Sequence, residues 1–157
     1  MEKKLEYIKV RNAEKTDCDD IFIWRNDEFT RKMSHTSEIV DLDKHSEWYF
    51  NSLNLESRVL LLCENSYNEK IASVTFDISE QKAVISINLN PTQRGKGLGR
   101  FCLIKSIEFF SREFPEIKNL QAEIKNENIA SKKIFLAFGF KKYNTKGNIG
   151  FYKKILV

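Results

Sequence analysis

Between Pro91 and Arg100 the chain reads PTQRGKGLGR. Three of its six glycines fall within five positions there, among the cations Arg94, Lys96 and Arg100. Bare backbone and positive charge in one turn suit an anion. Gly95, Gly97 and Gly99 leave out side chains where a phosphate must approach the main chain. A helix starting after the turn adds unpaired N–H groups and the positive end of its dipole. The expected ligand group is a phosphate or pyrophosphate, with a plain surface loop as the alternative. The spacing is not that of a P-loop, GxxxxGK[ST]. It is GxGxG rather than GxGxxG, because residue 100 is Arg, and the preceding strand reads as the third of a meander, so the dinucleotide fingerprint fails too.

A second group of chemically able residues lies upstream. Trp24–Ser34, WRNDEFTRKMS, reads as the end of a helix followed by an Arg-rich irregular segment. In Asp43–Tyr49, DKHSEWY, the spacing i, i+3, i+4 puts His45, Trp48 and Tyr49 on one helix face. An arginine such as Arg25 can grip a phosphate with two parallel hydrogen bonds, and an aromatic or imidazole ring can stack on a base. A nucleotide-linked molecule would want that set. The alternative is that Trp48 and Tyr49 belong to the core and the arginines to solvent.

The elements that must position these residues follow from periodicity and punctuation. Tyr7–Arg11 alternates like a half-buried strand. Thr16, with Asp19 three residues on, reads as the start of a helix running to about Arg25. Asp41 or Asp43 caps a second helix through Leu53. Arg58–Cys63, Ile71–Ile78 and Ala83–Leu89, separated by the polar turns Ser66–Glu69 and Ser79–Lys82, predict an antiparallel meander. A long amphipathic helix is expected from Gly97 to about Phe114, stopped by Pro115. Asn119–Ile124 reads as a strand. Asn128–Phe138 reads as a helix with Ile129, Ile134, Phe135 and Phe138 inward, closed by Gly139. Phe140–Tyr143 and Ile149–Ile155 read as a hairpin about Lys146-Gly147-Asn148. The order βααβββαβαββ predicts an α/β (α+β) fold, one mixed, mostly antiparallel sheet of about seven strands with helices on both faces, over residues 1–157 as a single domain.

Composition narrows the function. The 157 residues are 41% hydrophobic and 31% charged, an ordinary globular balance. No apolar run is long enough for a membrane span, and MEKKLEYIKVRN lacks the apolar stretch of a secretory signal, so a cytoplasmic protein with no membrane partner is expected. Cys18, Cys63 and Cys102 are odd in number, widely spaced and without a CxxC, which reads as buried reduced thiols. Residues 1–93 carry 12 Lys/Arg against 17 Asp/Glu, and residues 94–157 carry 14 against 5. A basic half points to an anionic ligand, since no RGG repeat or zinc-finger spacing supports nucleic acid.

The run Arg94-x-x-Gly97-x-Gly99 after a strand ending Ile87-Asn88-Leu89, then a helix, a strand, and Asn128-x-x-Ser131-x-x-Ile134-Phe135-x-x-x-Gly139-Phe140, resembles the GNAT acetyltransferase superfamily. The resemblance implies acetyl-CoA as cosubstrate and no metal. It places the pyrophosphate on the turn formed by Arg94, Gly95, Lys96, Gly97, Leu98, Gly99 and Arg100. The pantetheine arm would pair with Ile87–Leu89, near Asn128, Ser131 and Phe135. It also implies direct attack of a neutral amine on the thioester, aided by orientation and by N–H groups near Leu89. His45, Glu123 and Asp77 are the candidate bases. Many members place a tyrosine acid where this chain has Phe135, so Tyr143, Tyr152, Ser131 or a water is expected to replace it; a CoA-binding protein without catalysis is the alternative. WRND followed by H-x-x-W and Ser73-Val74-Thr75 resembles the nucleotide-sugar N-acetyltransferases of the pseudaminic acid pathway, which serve flagellin glycosylation. That resemblance implies a UDP-linked 4-amino-4,6-dideoxy sugar as acceptor, contacted by Arg25, His45, Trp48 and Thr75, and a homodimer. WRND openings also occur in acetyltransferases of ribosomal-protein N-termini, so a protein or peptide acceptor is the competing expectation.

Overall fold

The computed structural model describes residues 7–157; the first six residues of the stretch read above for a secretory signal lie outside it. Seven strands form one sheet: β1 (Lys9–Asn12), β2 (Arg58–Glu64), β3 (Lys70–Ser79), β4 (Lys82–Leu89), β5 (Asn119–Lys125), β6 (Lys141–Lys146) and β7 (Ile149–Ile155). Their order across the sheet is β1-β2-β3-β4-β5-β7-β6. Every neighbouring pair is antiparallel except β4 and β5. Five helices among the described residues complete the fold: α1 (Cys18–Asn26), α2 (Glu28–Met33), α3 (Leu42–Leu53), α4 (Gly99–Glu113) and α5 (Ile129–Ala137). The segment expected to be irregular after Trp24 therefore contains a helix, α2, which Asp27 caps by accepting from the Thr30 N–H at 3.1 Å.

Strand alternation splits the core into two layers. On β2, Leu61 and Cys63 pack with the buried face of α4, where Phe101, Cys102, Leu103, Ile107 and Phe110 meet the sheet. Leu60 and Leu62 turn the other way, toward Ile21 and Trp24 of α1 and Tyr49 of α3. Helices thus cover both faces, and all three cysteines are buried free thiols.

The start of α1 differs from the sequence expectation. A 3-10 turn at Lys15–Asp17 precedes it, and Asp17 rather than Asp19 closes back on the chain, accepting the Glu14 N–H at 2.8 Å. Fully buried Asp17 also pairs with Arg11 at 2.8 Å and Lys70 at 2.8 Å. Burial alone would push its carboxyl up, but these hydrogen bonds outweigh it and hold the group at about 2. The second helix cap settles on Asp41, which accepts the Lys44 N–H at 2.9 Å. In the final hairpin Gly147 has φ +57°, and all six residues of the edge strand β6 are exposed.

Candidate active site

The sheet contains a fork. The pairing of β4 with β5 covers only Lys82–Val84 against Asn119–Gln121. Beyond Val84, β4 stays paired to β3 as far as Leu89, while β5 stays paired to β7 as far as Lys125. The edge of Ile85–Leu89 that faces β5 thus presents backbone donors and acceptors to a gap.

A cavity of about 520 Å³ opens beside this fork. Its floor is the α1/α3 face of the meander, where polar residues alternate with buried apolar ones. Ser73, Thr75 and Asp77 come from β3, and Ser86 and Asn88 from β4, with Thr75 opposite Ser86 and Ser73 opposite Asn88. Arg25 of α1, Phe29, Thr30 and Met33 of α2, and Trp48 of α3 form the wall above. The far end reaches Ile87, Leu89, Arg94 and Gly95, and Asn128, Ala130, Ser131 and Ile134 at the start of α5. Of the expected acceptor residues, Arg25, Trp48 and Thr75 line the cavity; of the expected cofactor residues, Ile87, Asn88, Leu89, Arg94, Gly95, Asn128 and Ser131 do.

The glycine turn divides its work among its residues. Gly95 and Gly97 adopt φ +74° and +72°, where a side chain is strained, and a Cβ on Gly95 would meet nothing within 4 Å, so that approach is open. Gly99 does something else. It is the first residue of α4, two positions later than expected, and a Cβ there would lie 2.8 Å from Ile134 Cδ1 and 3.3 Å from Leu89 Cδ1. It lets α4 start against the packed sheet and α5. The first intrahelical bond runs from the Cys102 N–H to the Leu98 carbonyl, leaving the N–H groups of Gly99, Arg100 and Phe101 at the helix end. Lys96 and Arg100 are exposed beside them. The Asn128 side chain caps α5 by accepting from the Ser131 N–H at 3.2 Å. An open edge of strand, a left-handed glycine turn and a free helix N-terminus fit an extended, pyrophosphate-bearing molecule.

Several candidate residues sit elsewhere. His45 is fully buried and does not line the cavity. Its Nε2 lies 3.1 Å from the Cys18 carbonyl, which makes Nε2–H the donor and leaves Nδ1 to accept from the Arg25 guanidinium at 3.4 Å. Burial lowers its pKa, so the ring is a neutral support for Arg25 rather than a group in contact with a reacting amine. Glu123 is outside the cavity and pairs with His35 at 3.2 Å. Tyr143 is 44% exposed on β6, donating to Gln121 Oε1 at 3.3 Å. Tyr152 is core. Phe135 is also core, edge-on to Phe140 at 5.0 Å, and its neighbours Ser131 and Ile134 face the cavity instead. Ile129, expected inward, is 52% exposed. Trp48 carries the Arg25 and Arg58 guanidinium groups at 5.0 and 5.5 Å from its ring, so its π-surface is already engaged. Ser86 lies outside the stretches singled out for chemistry in the sequence, and Ser73, Phe29, Thr30 and Met33 lie within them without an individual expectation, yet all line the cavity. The serines had a signal, since they continue a polar, period-two pattern through otherwise apolar strands.

A family model described as an acetyltransferase (GNAT) domain matches residues 8–141. No curated protein matches the sequence significantly. Solved structures match the fold. A domain from Methanocaldococcus jannaschii superposes with TM-score 0.80 at 24% identity, covering 95% of this chain and 98% of its own. RimL, a ribosomal L7/L12 alpha-N-protein acetyltransferase solved with coenzyme A, gives 0.81 at 14% identity over 96% and 94%. YncA from Salmonella typhimurium, solved with acetyl-CoA, gives 0.76 at 22% identity over 96% and 95%.

Proposed function

The chain belongs to the GNAT acetyltransferase domain family, and from that premise we propose that it transfers the acetyl group of acetyl-CoA to the amine of a small anionic acceptor, a nucleotide-linked amino sugar. The observation that carries this reading is the continuity of one cavity, from the Arg25 wall over the hydroxyl floor to the fork and the glycine turn.

Acetyl-CoA supplies the activated acyl group. The residues that would hold it are the open edge of Ile85–Leu89, the N–H groups at the start of α4, and Gly95 and Gly97. On the acceptor side, Arg25 is only partly exposed, and its guanidinium contacts His45 and the Trp48 ring, with no carboxylate partner among the described residues. Such a cation recruits an anionic substituent. The engaged face of Trp48 argues for a phosphate grip at Arg25 over stacking of a base on that ring. Among the described residues Asp77 is the one carboxylate lining the cavity, with Oδ1 bound by Arg58 Nε at 2.5 Å. In this reading it would take the proton of an attacking amine, directly or through a water. Ser131 lines the cavity, whereas Tyr143 and Tyr152 do not.

The test is acetyl-CoA-dependent release of thiol by purified protein against UDP- and dTDP-linked 4-amino-6-deoxy sugars, with N-terminal peptides and aminoglycosides in parallel. Turnover restricted to an amino sugar nucleotide is the expected result. Turnover on peptides alone would replace the acceptor class. Silence throughout, with CoA bound, would mean a CoA-binding protein without catalysis.

A further inference from the structure

Arg94 opens the glycine turn, where a free guanidinium would be one more phosphate ligand. Its NH2 group is committed elsewhere. It pairs with Asp27 Oδ2 and donates to Thr30 Oγ1 at 2.8 Å, and its guanidinium lies 5.0 Å from the centre of the Phe29 ring. All three partners belong to the first turn of α2 or its cap. The other end of this short helix is tied to the opposite prong of the fork. Lys125 Nζ of β5 donates to the Lys32 carbonyl at 3.0 Å, and His35, just past α2, meets Glu123 of β5. A six-residue helix with no buried side chain of its own is thus fastened at one end to the donor turn and at the other to β5.

We propose that α2 is a strap between the two prongs of the fork, and that Asp27 is a positioning residue coupling the acceptor wall to the glycine turn. The inference deepens the acetyl-CoA reading and rests on it. The turn holds Gly95 and Gly97 in left-handed conformations, which glycine adopts without strain but also leaves readily, so fixing the turn costs conformational entropy. Arg94 lowers that cost by anchoring the turn to α2. The same link holds Phe29, Thr30 and Met33 over the hydroxyl floor. A ligand that orders the turn therefore orders the acceptor wall, and the wall returns the same factor to the ligand's affinity.

Charge alone makes the opposite prediction, which gives the test its edge. Asp27 does not line the cavity. Neutralising it would free Arg94 and remove a negative charge near an anion site, so simple electrostatics has Asp27→Asn tighten CoA binding. Coupling has it weaken binding. Asparagine caps a helix as well as aspartate does, so the substitution removes the ion pair and keeps the cap. The experiment is calorimetric titration of the full chain with coenzyme A, together with hydrogen exchange over residues 28–34 with and without it. In the wild type, CoA should slow exchange across α2. In Asp27→Asn that slowing should vanish and CoA should bind about fivefold more weakly, the low end of ordinary coupling factors. Thr30→Val, which removes one acceptor and no charge, should shift both in the same direction by less, and it decides the matter if Asp27→Asn fails to fold. Unchanged or tighter binding in Asp27→Asn, or CoA binding to wild type without protection of α2, would overturn the coupling alone. Failure of the wild type to bind CoA would overturn the donor-site reading and the coupling with it.

Discussion

Burial sets the chemistry of His45. A histidine on a helix face beside Trp48 reads as a proton acceptor because its unperturbed pKa sits near neutrality. In the fold the ring is enclosed by Phe22, Trp48 and Tyr49, and desolvation, helped by the nearby Arg25 charge, lowers its pKa against the pull of the Cys18 carbonyl and Asp19. The folded state thus binds this proton less readily than the unfolded chain does. Its contribution to stability is complete above the ordinary value of 6.5 and declines as pH falls below it. Urea unfolding between pH 7 and pH 5 should show the wild type losing stability with acid, and His45→Asn losing that slope. Because His45 steadies Arg25, the same variant should weaken acceptor binding more than it slows turnover. At this scale the sequence told residue type and spacing but not depth. Tyr143 and His45 are expected near the chemistry by type and Phe135 by its place in the family motif, and burial or strand position moves each away from the cavity.

The elements were largely legible, because their signals are local. The meander, α4 and the closing hairpin rest on period-two and period-3.6 patterns with clear stops. The helix α2 was not legible. EFTRKM buries no side chain, so it offers no apolar stripe, and its stability comes from the Asp27 cap and from contacts with residues 94 and 125 that lie far away in sequence. The cap of α5 joins element to site in a testable way, since Asn128 both accepts from the Ser131 N–H and lines the cavity. Asn128→Ala should cost about 1 kcal/mol in thermal or urea unfolding. Asn128→Asp should keep that stability, because aspartate caps equally well. Its added charge would have to be desolvated beside the uncharged pantetheine arm, so KM for acetyl-CoA should rise about fivefold, the equivalent of about 1 kcal/mol. A larger rise in KM from Asn128→Ala than from Asn128→Asp would mean the cap, and not the charge beside the donor slot, controls binding.

For the whole molecule, Asp17 is the knot. Its carboxylate joins β1 through Arg11, β3 through Lys70 and the entry to α1 through the Glu14 N–H, and Arg11 extends the network to Glu64 of β2 at 2.9 Å. A carboxyl held at about 2, against an ordinary 3.8, gives stability that is whole above about pH 4 and lost as pH falls toward 2. Asp17→Asn should therefore lower unfolding free energy by at least about 2 kcal/mol at pH 6, and the gap to wild type should narrow as pH approaches 2. The charge asymmetry between the two halves of the chain is visible in composition, and the basic turn lies in the positive half. The place where β4 and β5 part company is not visible there, because the end of a parallel pairing depends on how two distant halves of a sheet twist past each other. That parting has a mechanical meaning. Two stiff antiparallel plates, β1-β2-β3-β4 and β5-β7-β6, meet along a seam of three paired residues on each strand, bridged by the core beneath α4 on one face. Of the junctions among the described strands this seam has the fewest paired residues, so the sheet resists bending least along it, and α2, tied to both prongs, is the brace across its open end.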